Sequence, residues 1–145
     1  MVRNKGLVRF HILEPFAFNE KKKLKAVVTR LMEDEGKSFV SLDYIFCSDE
    51  YLLEINQNFL KHDDLTDIIT FDLSVDKKEI QGEIYISVER VRDNSHLFKT
   101  TFPEELARVV FHGALHLCGY NDKSKKEQSE IRGREDYYLG IFSKR

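Results

Sequence analysis

Residues 101–122 read Thr101-Phe102-Pro103-Glu104-Glu105-Leu106-Ala107-Arg108-Val109-Val110-Phe111-His112-Gly113-Ala114-Leu115-His116-Leu117-Cys118-Gly119-Tyr120-Asn121-Asp122. At 100° per residue, the apolar and small residues from Leu106 to Cys118 cover most of the circumference of a single helix, so that helix is buried nearly all round. Thr101 and Glu104 stand at capping-box spacing and Pro103 falls in the first turn, so the spacing predicts a helix from about 102 to 117. Gly119 occupies the position of a C-cap. The narrow polar stripe that remains collects Glu105, Arg108, His112 and His116. The two histidines lie on one face, one turn apart, where their imidazoles converge on one ion.

A single histidine on an apolar helix is more commonly a core residue hydrogen-bonded through both nitrogens. Two side by side change the balance, because four ring nitrogens then need partners, while one metal ion satisfies two and fixes both tautomers. H-x-x-x-H is the arrangement by which one helix supplies two zinc ligands. Gly113 stands where the zinc-peptidase helix motif places a glutamate base, so peptidase chemistry loses support, and the glycine marks close approach of backbone, substrate or another packed element. Past Gly119 the chain reverses, and Asp122 passes near the histidine face as a third ligand; its alternative role is to assist the cap of the last helix beside Ser124. Two histidines and one carboxylate leave a fourth position open, as catalytic zinc sites do. Arg108 either offers its guanidinium to a bound phosphate or pairs with Glu105 at i, i+3.

Working outward, residues 7–13 are strand-like and Glu14-Pro15 ends them. Asn19 is placed to cap a helix whose Leu24, Val27, Val28 and Leu31 keep a 3.6-residue period to about Glu35, where Gly36 stops it. A strand over 38–47 follows, then a short helix capped by Ser48 or Asp49, then a loop at 61–64. Strands over 67–73 and 79–86 are separated by a charged turn, and Ser87 caps a helix to about Asn94. The last helix starts near Ser124, with Glu127 three residues on, and ends near Gly140. This order predicts an α+β fold: one domain over residues 1–145, a small mixed sheet of about four strands and five helices.

The 145 residues are 41% hydrophobic and 33% charged with two Pro and seven Gly, which suits one ordered globular domain. A net charge of −2 supplies no global basic excess for nucleic acid, so any RNA contact must be a local patch. Lys123, Lys125 and Lys126 are the better candidate patch; Lys21, Lys22, Lys23 and Lys25 read as a solvated face. Cys47 and Cys118 have no paired spacing and are expected as reduced thiols in a cytoplasmic protein. No apolar run approaches the roughly 18 to 20 residues of a membrane span. His11, His62 and His96 have no partner at ligand spacing and read as ordinary polar or core residues.

The run from His112 to Asp122 resembles the signature H-G-x-L-H-L-x-G-Y-D-H of the YbeY family of ribosomal-RNA maturation proteins. Asn56-Gln57-Asn58-Phe59, with Asp63-Asp64-Leu65-Thr66-Asp67-Ile68-Ile69-Thr70-Phe71, is similar to that family's N-x-x-Y-R-x-K-D-x-P-T-D-V-L-S-F stretch. Gly82-Glu83-Ile84-Tyr85-Ile86-Ser87 echoes its G-D-I-x-I-S strand. The resemblance implies a single-domain α+β hydrolase with a zinc ion. It also implies a metal-dependent single-strand endoribonuclease of small-subunit (16S) rRNA 3′-end maturation and ribosome quality control, with single-stranded RNA and the small ribosomal subunit as partners.

Two departures from the pattern bear on the chemistry. Asp122 replaces the family's third histidine, which lowers the charge of the site by one, weakens the ion as a Lewis acid and admits manganese, iron or nickel beside zinc. Leu60 replaces an arginine, removing a bidentate phosphate ligand. The rival expectations are a ribosome-associated binding protein with a structural or vestigial metal site, and a non-haem iron oxygenase, which shares two histidines and one carboxylate.

Overall fold

The computed structural model describes residues 6–60, 66–76 and 78–144, without the side chain of Leu60. The expected loop at 61–64, with His62, and the side chain at position 60 lie outside the described residues.

The β-branched and aromatic runs form β1 (Leu7–Ile12), β2 (Ser38–Cys47), β3 (Ile68–Asp72) and β4 (Glu79–Ser87). They lie in one sheet in the order β1-β2-β4-β3. β1 and β4 run parallel to β2, and β3 pairs antiparallel with β4. Parallel neighbours need a crossover, and α1 (Lys21–Asp34) supplies the one between β1 and β2. The other helices are α2 (Asp49–Ile55), which runs into a π-helical turn Asn56–Leu60, then α3 (Val88–Leu97), α4 (Phe102–Leu117) and α5 (Lys125–Ser143). Among the described residues this is the expected small mixed sheet of four strands with five α-helices.

Alternation along β2 divides the core. Leu42, Tyr44 and Phe46 enter the main cluster with Val28 and Leu31 of α1, Ile84 and Ile86 of β4, and Val110, Phe111 and Leu115 of α4. Cys47 belongs to a second cluster, with Leu52, Ile55 and Ile69, where α2 covers the other face. α4 packs against α1, α3, α5, β3 and β4, which explains its apolar girth. Burying each of its larger side chains is worth roughly 1.5–3 kcal/mol. The hydroxyl of fully buried Tyr44 donates to the Val110 carbonyl at 2.9 Å, tying α4 to the sheet.

Helix ends follow their sequence signals with four exceptions, one being α3, which runs past Asn94 to Leu97. Glu20, not Asn19, is the N-cap of α1, and no side chain caps it; the Glu20 carboxylate instead pairs with Lys23 at 3.6 Å, offsetting the crowding of cations at that end. At α4 only half of the capping box forms: Thr101 accepts from the Glu104 amide, but the Glu104 carboxylate accepts from Thr100. α5 continues past Gly140 to Ser143 because buried Leu139 and Phe142 hold its last turn against the core. Gly36 and Gly119 take φ values of 73° and 109° and end α1 and α4 as expected.

Glu35 locks three elements together. Its carboxylate accepts from Tyr138 at 2.6 Å, from Arg134 at 2.8 Å and from Tyr120 at 2.7 Å, joining the end of α1 to α5 and to the segment after α4. Burial alone would raise this carboxyl, but the bonds from Tyr138, Tyr120 and Arg134 outweigh it and hold it below its ordinary 4.5. A depressed carboxylate contributes stability that is present above the unfolded value and lost as pH falls through the folded one. Glu35→Gln should therefore flatten the fall of the urea midpoint below pH 4.5; an unchanged acid limb would assign that fall to other groups.

Gly113 faces β4. A Cβ built there would lie 2.8 Å from Ile84 Cγ2 and 3.1 Å from Ile68 Cδ1, so the close approach read from the sequence is sheet packing. Gly113→Val should cost about 1–3 kcal/mol by overpacking, read as a lower urea midpoint with an unchanged slope.

Candidate metal centre and cleft

The polar stripe of α4 is the floor of an open cleft of about 990 Å³. One wall is α5, through Gln128, Ile131, Arg132 and Glu135, and the other is the start of β3 with Phe98 beyond the end of α3.

On the floor, the His112 and His116 rings stand 4.5 Å apart at 82°. His116 Nδ1 lies 2.9 Å from the carbonyl oxygen of Tyr120. A carbonyl only accepts, so Nδ1 carries the proton and Nε2 presents a bare lone pair in the neutral ring. His112 Nδ1 lies 2.6 Å from a Glu135 carboxylate oxygen, which assigns it the same tautomer. Both Nε2 atoms face Asp122 Oδ2, at 3.4 Å from His112 and 3.2 Å from His116. Three acceptors thus converge, their ligand atoms all within 4.8 Å of one another. A cation, or a proton on one of the rings, makes that arrangement favourable. The two distances also match the roughly 3.3 Å edge of a tetrahedron drawn with zinc-type bonds of about 2.0–2.1 Å. The donor set therefore fits one divalent ion of the zinc type, with Asp122 the most exposed member.

Local chemistry sets each ligand. The positive φ of Gly119 turns the chain back, and Tyr120, whose carbonyl orients His116, is itself held by Glu35. Gln128 Nε2 donates to the Asp122 carbonyl at 3.0 Å. Ser124 and Glu127 complete a capping box for α5 by themselves, so the Asp122 carboxylate is left out of the cap and turns toward the histidines.

Arg108 lines the cleft, but it does not pair with Glu105 as its i, i+3 spacing suggests. Its Nη1 donates to Glu135 at 2.9 Å and its Nη2 to Asp136 at 2.7 Å. Longer reach to α5 wins because both acceptors there match the planar guanidinium fork. Lys123, Lys125 and Lys126 are exposed near the start of α5 and outside the cleft lining. Of the other histidines, His11 pairs with Asp43 at 2.8 Å, away from the cleft. Burial pushes the thiols of Cys47 and Cys118 up to about 12, and both are free.

Glu135 is the residue that sequence reasoning missed. Its side chain is only 5% exposed, yet it occupies a core-facing position of α5 among Ile131, Tyr138, Leu139 and Phe142. A carboxylate inside an apolar stripe was the available signal. Burial by itself would lower the His112 pKa, but the hydrogen bond and charge of Glu135, with Asp122 and Asp67, outweigh it and raise the value. Asp67, also in the cleft, is pushed up chiefly by burial, and Glu105 by burial and by Asp67.

Fold and site together define a class: α+β proteins in which an H-x-x-x-H helix floors an open cleft. A sequence model of the family described as Endoribonuclease YbeY matches residues 14–143. The chain is 47% identical over 136 residues to the endoribonuclease YbeY of Flavobacterium psychrophilum, covering 94% of this chain and 96% of that one. It is 41% identical over 138 residues to the Christiangramia forsetii protein of the same description, covering 95% and 96%. A Thermotoga maritima protein solved in solution superposes with a TM-score of 0.69 at 29% identity, covering 93% of this chain and 88% of that one. The chain belongs to the endoribonuclease YbeY family, and as a member it is an RNA-cleaving hydrolase. Among the described residues no helix is long and apolar enough to cross a membrane.

Glu135→Gln should weaken metal binding about 10- to 100-fold, the usual cost of losing the outer partner of a ligating histidine. Chelator-competition titration measures it, and wild-type affinity in the variant would show that Glu135 does not tune the site.

Proposed function

We propose that this chain is a metal-dependent single-strand endoribonuclease of small-subunit (16S) rRNA 3′-end maturation and ribosome quality control. It acts in the cytoplasm as one catalytic domain over residues 1–145. His112, His116 and Asp122 hold one divalent ion, zinc in this reading, with manganese, iron or nickel as the other occupants this donor set accepts. The observation that carries the reading is the convergence of three acceptor atoms at the floor of an open cleft in a chain of the endoribonuclease YbeY family.

A bound ion of this kind supplies Lewis acidity and an acidified water. The chain supplies the rest. Glu135 and the Tyr120 carbonyl hold the Nδ1 protons of the two histidines, keeping both Nε2 lone pairs on the ion. Arg108 neutralises Glu135 and fixes its carboxylate plane, which makes it a positioning residue in this reading. Asp122, one negative charge more than an imidazole, tempers the acidity of the ion. The open wall admits a flexible strand.

Purified protein incubated with single-stranded RNA should cleave it, lose activity on chelation and regain it when metal is restored. His116→Ala should lower the rate at least about 100-fold, since two ligands no longer hold the ion. No metal-dependent cleavage with zinc, manganese, iron or nickel would sink the nuclease and leave a ribosome-binding protein with a structural metal. Elemental analysis with an oxygen-consumption assay excludes or establishes the oxygenase alternative.

A further inference from the structure

The cleft is a poor host for a polyanion as its walls stand. Five carboxylates line it, from Asp67, Asp72, Glu105, Asp122 and Glu135, against the guanidiniums of Arg108 and Arg132. Arg108 is spent on Glu135 and Asp136. Arg132 is exposed, and among the described residues it makes no ion pair or hydrogen bond. Its place on α5 is specific. Gln128, four residues before it, bonds the backbone of Asp122, and Glu135, three residues after it, bonds His112. Residues at i−4, i and i+3 share one helix face, so Arg132 sits midway along the edge of α5 that borders the three candidate ligands. Its charge is felt by Glu105 on the floor.

The second feature lies on the opposite wall. Phe98 is 59% exposed although it lines a cleft rich in carboxylates. Its backbone is fixed: its amide donates to Asn94 at 2.8 Å, and the next residue, Lys99, adopts a φ of 55°, a turn rare outside glycine. A rigid backbone presenting a bare aromatic face fits a nucleobase, because stacking is tolerant of sequence and needs no hydrogen-bond partner.

Resting on the endoribonuclease reading, we propose that a single RNA strand lies along α4 with one base stacked on Phe98 and one phosphate held by Arg132. Phe98 is near the start of α4 and the ligand cluster near its end, so the strand runs along the helix from the stacking platform to the scissile phosphate. Direction and phosphate position are thereby set by two side chains outside the ligand set.

The test is equilibrium binding of a short 2′-O-methyl oligoribonucleotide, its integrity checked on a gel after each titration, to metal-loaded protein over a salt series. Phe98→Leu should weaken binding roughly tenfold with an unchanged salt dependence, and Phe98→Tyr should restore it. Arg132→Gln should weaken binding and flatten the logarithmic salt slope by about 0.7, while Arg132→Lys keeps the slope. Wild-type affinity in either Phe98→Leu or Arg132→Gln overturns the strand path. Cleavage of unmodified RNA is measured beside it. A wild type that binds but does not cleave removes the nuclease reading alone; one that cleaves while either variant binds normally removes the strand path alone.

Discussion

A helix of sixteen residues that is apolar around most of its circumference must be covered around most of its circumference, and α4 imposes that condition on the whole chain. The sheet takes the side of Gly113, where the absence of a side chain lets Ile84 and Ile68 approach. The helices α1, α3 and α5 take the remaining apolar surface. What they leave partly open is the stripe of Arg108, His112 and His116, which with buried Glu105 becomes the floor of the cleft. The site thus follows from packing: the polar stripe of α4 meets carboxylates of α5 on one side and faces the cleft on the other.

Orientation of that floor is achieved by acceptors. Neither histidine is held by another donor; each gives its Nδ1 proton to an oxygen, of Glu135 in one case and of Tyr120 in the other. Each of those residues is anchored in turn, Glu135 through its other oxygen by Arg108 and Tyr120 through its hydroxyl by the Glu35 hub. Burying a carboxylate such as Glu135 is costly unless it is paired and hydrogen-bonded. Here the guanidinium and the imidazole N–H provide that pairing, and the same bonds pre-set the ligand geometry. Stability and site preparation rest on one set of contacts.

The negative lining has a consequence for substrate handling. Carboxylates in the lining repel a polyanion, so on the proposed strand path attraction falls to a bound ion and to a cation such as Arg132. This accords with a chain of formal charge −2, which has no basic surplus to spread over its surface.

The histidine helix, its caps and the four strands were legible because each rests on local periodicity and end chemistry: the 3.6-residue spacing of apolar groups, Ser and Thr before helices, glycine after them. The strand over 38–47 appears with those limits, and His112, His116 and Asp122 come together because helix geometry and one glycine reversal suffice to place them. The partner of Arg108 was not legible. Its i, i+3 neighbour Glu105 was near in sequence, whereas Glu135 and Asp136 are brought alongside only when α5 docks on α4. The roles of Glu135, Glu35 and Arg132 were hidden for the same reason. Periodicity along one element determines which of its faces is buried, but which groups meet across two elements depends on how their faces dock, and that is decided by the packing of the whole core.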